Sequence, residues 1–571
     1  MTMSFSRIVT FFSLSCLVAT QSTRGQYGRN IQREHNYDFH KDAIVETEVE
    51  YIAAALQYAP FDDLSVGGQV VLEENARAFI KYAKEAREMG AQIIVFPEYG
   101  LTSLNLALPW EGFLAQTQVV PDPEDKEVPC EYTDVKNSSK IMKELSCAAK
   151  ETGIYLVVDL AEQSNCSKIT FGDDDPLISP SRDAFGEQAA CKFYNSQVVF
   201  DDTGAVVARY RKKHLFVEPL FTPGTEPDSA ATFETSFGVT FTLLICFDIL
   251  YESPAVSNIF NLGVRDAIMS TAWMDQLPFL VAHQVWKGFT EGFNVNLVVA
   301  NIYEPPKGFL GAGIFRGVSS EPEYYTYDTS SGTKLIVGRV KTKSSSPAVK
   351  RREIADTKDI SYKEYFDPTQ NGENYKSDLE HVVRSKTPHK QNTNQNMHQK
   401  YKHQNLSRYN YTILERTPPN YVFIARLCHD DDLCCTLAYS YPAEDPEDVM
   451  YMLVAYSGIV GHAHDLYLTY VQNCGVVLCL NDSIASCAHI EEAYFGDSAF
   501  RAYSLSGTFS ERYIYPSVLT DSVQLFNPTQ WNYTFTEKPT YYHASIDLLE
   551  EVNDLLTLSL YSRWFSRDPN Y

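Results

Sequence analysis

The chain has 571 residues, 44% of them hydrophobic and 13% aromatic, and carries a formal charge of -25. That length exceeds what one hydrophobic core supports, so at least two domains are expected. The acidic balance disfavours a nucleic-acid partner, which would need a basic face, and leaves small-molecule chemistry open.

At the N-terminus Arg7 stands before an apolar run, Ile8 to Ala19, and small polar residues follow. The run is short of the roughly 20 residues that span a bilayer. We read a cleaved signal peptide over residues 1–22 and expect a secreted, extracellular protein with no transmembrane segment. The charged end, TLSLYSRWFSRDPNY, lacks the apolar tail of a lipid-anchor signal.

Residues 45–340 alternate strands and helices. Tyr51–Tyr58 is an apolar strand, and Leu72, Ala76, Phe79, Ala83 and Ala86 then recur at helical spacing until Gly90 stops the helix. Further strands are predicted at Ile93–Phe96, Ile154–Leu160, Gln197–Phe200, Val206–Tyr210, Val239–Cys246, Ala267–Thr271 and Val295–Ile302. Near-continuous apolar strands between helices imply a sheet buried on both faces, hence an α/β fold.

Residues 341–410 differ, with 14 Lys/Arg against 8 Asp/Glu and almost no apolar runs. This predicts a polar, basic insertion that is disordered; a binding arm for an acidic surface is the other reading its charge allows. Residues 411–571 are strand-like again, with short β-branched or aromatic segments at Tyr421–Leu427, Thr436–Tyr441, Met450–Tyr456, Leu466–Val471 and Val476–Leu480.

Of the 12 cysteines, Cys16 falls in the signal peptide and an odd number remains. In a secreted chain that leaves one thiol unpaired. Cys130–Cys147 and Cys166–Cys191 are plausible local disulfides, and the other pairings stay open. The Cys428, Cys434, Cys435 cluster lacks the paired CxxC spacing of a zinc site, so disulfides are expected there and no metal. Sequons at Asn137, Asn165, Asn405, Asn410, Asn481 and Asn532 predict a surface carrying N-linked glycans.

Three strand ends carry chemistry. QIIVFPEYG carries Glu98 just past its apolar strand, VVARYRK ends in Lys212, and VTFTLLIC in Cys246. A cysteine at a strand end is most often a small core residue, and a lone Glu or Lys there is ordinary surface charge. Together they are the parts of a cysteine amidase. A thiolate attacks the amide carbonyl, and the resulting oxyanion needs a fixed positive charge or donors. One carboxylate can take the thiol proton, pass it to the leaving amine, and then activate water. Glu98 suits that task, Lys212 suits the oxyanion as a compact cation, and the N–H of Phe247 is a candidate second donor.

IIVFPEYG, RYRKKHLF and LLICFDILYESPAV resemble the three motifs of the nitrilase (carbon–nitrogen hydrolase) superfamily. CFDIL with the following PAV resembles its biotinidase/vanin branch more narrowly. So do VPDPEDKEVPC, LSCAAKETGIYLVV, NSQVVFDDTGAVVARY and STAWMDQLPFLVAHQVWKGFTEGFNVNLVVANIYEP. The resemblance covers about residues 48–340. It implies a four-layer α-β-β-α sandwich and a C-terminal β-rich, disulfide-stapled domain over 411–571. By position it makes Glu98 the general base and acid, Lys212 (not Lys213) the oxyanion stabiliser and Cys246 the nucleophile. It adds Glu218 as a carboxylate that orients the lysine, and it places Trp273 and Asn301 near the pocket. It implies a secreted amidohydrolase that cleaves a linear secondary amide without a cofactor. Pantetheine, giving pantothenate and cysteamine, is the leading substrate, and biotinyl amides such as biocytin are the alternative. A silent binding glycoprotein on the same fold is the rival from another class. Oligomeric state is not legible.

Overall fold

The computed structural model of the chain describes residues 47–106, 110–133, 139–164, 192–317, 319, 322–344, 365–366, 401–418, 420–430, 432–441, 450–489, 501–552 and 554–569. The predicted signal peptide, Asn137, Asn165 and the Cys166–Cys191 pair lie outside these residues.

Strand alternation builds the α/β part. Strand β1 (Thr47–Tyr58) runs parallel to β2 (Ile93–Val95), which is parallel to β3 (Tyr155–Ser164). Strands β4 (Lys192–Phe200) and β5 (Val206–Arg211) extend this half antiparallel. Successive side chains of a strand face opposite ways. Ile52, Ala54, Leu56 and Tyr58 therefore pack with Leu72, Ala76, Phe79 and Ala83 of helix α1 (Gly68–Glu88), and with Leu145 and Ala149 of α2 (Lys140–Thr152). Tyr51, Ala53 and Ala55 face the other way, into a second half of the sheet.

That second half is β6 (Thr240–Ile245), β7 (Asp266–Thr271) and β8 (Asn296–Ile302), all parallel, with β9 (Ala312–Phe315) antiparallel at its edge. The halves join where Gln57 and Tyr58 of β1 pair with Asn301 and Ile302 of β8. The last strand, β10 (Lys334–Ser344), returns antiparallel along β1. Helices α3 (Ser257–Leu262) and α4 (Ala282–Phe293) cover the outer face, giving the four-layer α-β-β-α order.

The C-terminal part is two facing five-stranded sheets. One runs β11 (Asn410–Ile413), β14 (Met450–His462), β15 (Tyr467–Cys479), β20 (Leu555–Arg563) and β17 (Ile514–Thr520) in spatial order. The other runs β12 (Phe423–His429), β13 (Leu433–Ser440), β16 (Arg501–Phe509), β19 (Tyr542–Leu548) and β18 (Trp531–Glu537). Disulfides Cys428–Cys434, Cys435–Cys474 and Cys479–Cys487 staple it, and Cys130–Cys147 pairs in the α/β part.

Three expectations are corrected. Strand β6 stops at Ile245, and Cys246 opens a short 3-10 turn instead of closing the strand. Leu466–Val471 and Val476–Leu480 are one strand, Tyr467–Cys479. Gly475 inside it marks close approach and not a break: a Cβ there would lie 3.0 Å from the Phe279 ring of the α/β part. The ends of the expected disordered insertion are also ordered. Lys341–Ser344 belongs to β10, because it pairs with Thr47–Glu50. Lys402 and His403 pair with Gln276 and Leu277, and Phe279 N donates to Gln404 Oε1 at 3.1 Å. Asn405, Asn410, Asn481 and Asn532 are all exposed.

Candidate active site

Three segments deliver the site, each just beyond a strand. Beyond β2 the chain places Glu98 in the interior, 1% exposed. Its Oε2 accepts the Ala272 N–H at 2.8 Å. Its Oε1 accepts from Lys212 Nζ at 2.7 Å and from Asn195 Nδ2 at 2.8 Å. Burial drives the Glu98 pKa up, and the Lys212 charge opposes this.

Beyond β5, alternation separates the two lysines of RYRKK. Arg211 turns to a buried bidentate pair with Glu162, at 2.9 and 2.5 Å. Lys212 turns the other way, into the site, where its Nζ lies 3.0 Å from Glu218 Oε2. Lys213 turns out again to Asp228 and to Ser253 Oγ. Burial works against the Lys212 ammonium, but Glu218 and Glu98 outweigh it and hold its pKa well above the ordinary lysine value. Glu218 is fixed in turn by Tyr99 OH at 2.6 Å, Asn195 Nδ2 at 2.6 Å and the Phe216 N–H at 3.0 Å.

Beyond β6 the backbone turns sharply. Ile245 is extended, Cys246 has φ +48°, and the 3-10 turn Cys246–Leu250 follows. A non-glycine residue in this left-handed region is strained and needs support. Asp248 supplies it: the carboxylate accepts the Ile245 N–H at 3.0 Å, the His214 N–H at 3.0 Å and Tyr210 OH at 2.8 Å. One buried side chain thus ties the cysteine turn to the segment on either side of Lys212. Burial lifts the Asp248 pKa to about 7.

Cys246 is the free cysteine among the described residues. Its Sγ sits 3.8 Å from Ala272 O. Burial raises the thiol pKa, and the Glu98 charge raises it further, against Lys212 and the Thr271 hydroxyl. The thiol is therefore held in its neutral form, so its proton must move during attack. The arrangement can deliver a nucleophile, a base and a fixed cation to one bound carbonyl.

Glu98, Lys212, Cys246, Glu218, Phe247 and Trp273 all line one cavity of about 980 Å³. Trp273 is held there by its N–H to Asn301 Oδ1 at 2.9 Å and its indole N–H to Leu280 O at 3.0 Å. Asn301 sits behind it, off the cavity wall. The far wall comes from the C-terminal part: Tyr456, His462 and the ordered strap that carries Asn405. Sequence reasoning missed Tyr99, Asn195, Asp248 and this far wall. Asp248 had a signal in its place two residues after Cys246; the others are brought in by tertiary contact alone.

The chain matches the profile of the family "Carbon-nitrogen hydrolase" over residues 52–276 and that of the "Vanin C-terminal domain" over residues 398–568. It is 29% identical to a pantetheinase of Bos taurus over 495 residues, covering 85% of this chain and 82% of that one. The identity to the Homo sapiens pantetheinase is 29%, covering 85% and 81%. A biotinidase of Takifugu rubripes is also 29% identical, covering 87% and 89%. Among solved structures, an amidase from Nesterenkonia sp. AN1 aligns at TM-score 0.34 and 17% identity, covering 51% of this chain and 90% of that one.

Proposed function

We propose that this chain, which belongs to the carbon–nitrogen hydrolase superfamily in its vanin branch and is a hydrolase of amide C–N bonds, splits pantetheine into pantothenate and cysteamine through a thioester on Cys246. The observation that carries the reading is the buried contact of Lys212 with Glu98 at 2.7 Å on the wall of the cavity that Cys246 also lines. Similarity to pantetheinases along most of the chain supports the substrate.

The steps follow from the site. Glu98 takes the thiol proton as Cys246 Sγ attacks the amide carbon. The oxyanion forms beside the Lys212 ammonium and the Phe247 N–H, which sits at the start of the turn where N–H groups have no partner within the helix. Protonated Glu98 passes its proton to the departing amine and the C–N bond breaks. Glu98, again a carboxylate, draws a proton from water as the water attacks the thioester; the C–S bond breaks, Glu98 returns the proton to the Cys246 sulfur, and the acid leaves. Glu218 holds Lys212 throughout, and no step needs a cofactor.

The deciding assay incubates the purified protein with pantetheine and with biocytin side by side. Cysteamine release that Cys246→Ala abolishes, with no change in melting temperature, is the expected result. Turnover retained by that variant would sink the thioester, and preferential release of biotin would replace pantetheine with the biotinyl alternative.

The same reading makes the protein a secreted glycoprotein. The described disulfides suit an oxidising compartment, and four exposed sequon asparagines are available to glycans. Glycosidase treatment of protein collected from culture medium should lower its apparent mass; an unchanged mass refutes the glycans.

A further inference from the structure

The C-terminal part reaches past the cavity wall. Strands β14 and β15 are joined by a turn in which Ala463, His464 and Asp465 all have left-handed φ, at +49°, +58° and +62°. The turn brings Tyr467, the first residue of β15, against the loop that carries Glu218. Its hydroxyl accepts the Val217 N–H at 2.6 Å, across a sequence separation of 250 residues. Its ring stacks on Phe216 at 5.3 Å and meets Phe247, the neighbour of the nucleophile, edge-on at 5.7 Å.

Val217 needs that support. It has φ +56°, which a β-branched residue rarely adopts. Its side chain is 55% exposed, so little packing holds the conformation. The backbone around it is functional: the Phe216 N–H donates to Glu218 Oε2, the oxygen that lies 3.0 Å from Lys212 Nζ. Tyr467 itself is not on the cavity wall.

We propose that Tyr467 is a positioning residue for the amidase reaction: its hydroxyl fixes the left-handed Val217 backbone, and through Phe216 and Glu218 it sets the place of Lys212. The C-terminal part would then be a working portion of the active site, coupled to the lysine as well as enclosing substrate. The inference rests on the roles proposed for Lys212 and Glu218.

Tyr467→Phe tests it, because the ring contacts survive and only the hydroxyl is lost. With pantetheine as the probe, kcat should fall about tenfold, in line with the cost of small displacements of catalytic groups. KM should stay within about twofold, since Tyr467 does not touch the cavity, and the melting temperature should not change. The pH profile supplies a readout that simple destabilisation would not move. Lys212 faces Glu98, Glu218 and Cys246, with Asp248 and Asp159 behind them. Burial presses its ammonium to lose the proton, and Glu218 heads the charges that retain it. A Glu218 set loose lowers the lysine pKa, so the alkaline fall of kcat should begin at lower pH in the variant. A kcat within about twofold of the parent overturns the proposal, as does a loss of rate with the alkaline limb unmoved. If the parent protein releases no cysteamine, it is the proposed function that fails and not this inference.

Discussion

Glu98, Lys212 and Cys246 are each unremarkable as single residues, and their geometry gives each a separate burden. Burial alone would neutralise all three. The Lys212 ammonium survives because two carboxylates meet it, at 2.7 and 3.0 Å. No ion pair meets the thiol among the described residues and burial keeps it protonated; in the proposed reaction Glu98 takes its proton. This distinguishes Lys212 from its neighbour. Lys213 pairs with Asp228 near the surface, where an ion pair contributes at most about 1 kcal/mol. Lys212→Ala removes the cation proposed to meet the oxyanion and should lower kcat by about 100-fold or more. Lys213→Ala should cost at most about fivefold, the rate equivalent of that surface pair. Steady-state kinetics of the two variants decide the matter, and equal losses would mean that the wrong lysine has been given the role. The choice of Lys212 over Lys213 was legible in RYRKKHLF only through the family motif it resembles; the structure adds that Lys212 points to Glu218 and Lys213 away to Ser253. Asn195 and Tyr99 were not legible, since an amide on a middle strand and a tyrosine after a glutamate carry no local pattern that points to a carboxylate.

Among the elements, the long apolar strands and helix α1 were readable because burial imposes a period of two or of about 3.6 residues on the sequence. Two of the three failures have one cause: glycine and polar residues were taken at their local meaning where tertiary contact fixes them. Gly475 reads as a turn but makes room for Phe279, and residues 401–404 read as disordered but pair with 276–277. Helix α4 shows the same logic in WKGFTEGF. Two glycines weaken a helix, yet both face β17: a Cβ on Gly288 would lie 2.9 Å from Tyr515 Cβ, and one on Gly292 would lie 1.9 Å from Ile514 O. The second contact is with backbone, which cannot swing aside. Gly292→Ala should therefore destabilise the protein by about 1–3 kcal/mol through overpacking, despite alanine's better helix propensity. Gly288→Ala, whose overlap with Tyr515 Cβ at 2.9 Å is milder, should cost less. Chemical denaturation of both variants measures the difference, and a Gly292→Ala protein as stable as the parent would mean that α4 and β17 do not meet as described.

For the molecule as a whole, these contacts join the α/β part and the C-terminal β part into one compact unit. One apolar core runs from Tyr51 on β1 through Trp286 on α4 to Tyr515 and Leu560 in the C-terminal sheet. Polar contacts cross the same boundary at the turn that bears Cys246: Tyr515 OH donates to Ile249 O at 2.8 Å, and buried Arg563 Nε donates to Leu250 O at 2.7 Å. These carbonyls end a 3-10 turn and would lack partners without them. Removing residues 401–571 would strip α4 of its cover, leave the carbonyls of the cysteine turn unpaired and open the cavity on its far side. A chain ending at residue 400 should accordingly be insoluble or without amidase activity. The full chain should melt in one transition, with calorimetric and van't Hoff enthalpies that agree. Two resolved transitions in calorimetry, or a truncated chain that still releases cysteamine, would show that the α/β part is self-sufficient. The C-terminal sheets would then be a wall for substrate and nothing more. A single transition together with a dead truncation would mean that catalysis in this fold depends on a part of the chain that supplies none of Glu98, Lys212 and Cys246, because that part holds the turn on which Cys246 stands and the loop whose Glu218 contacts Lys212.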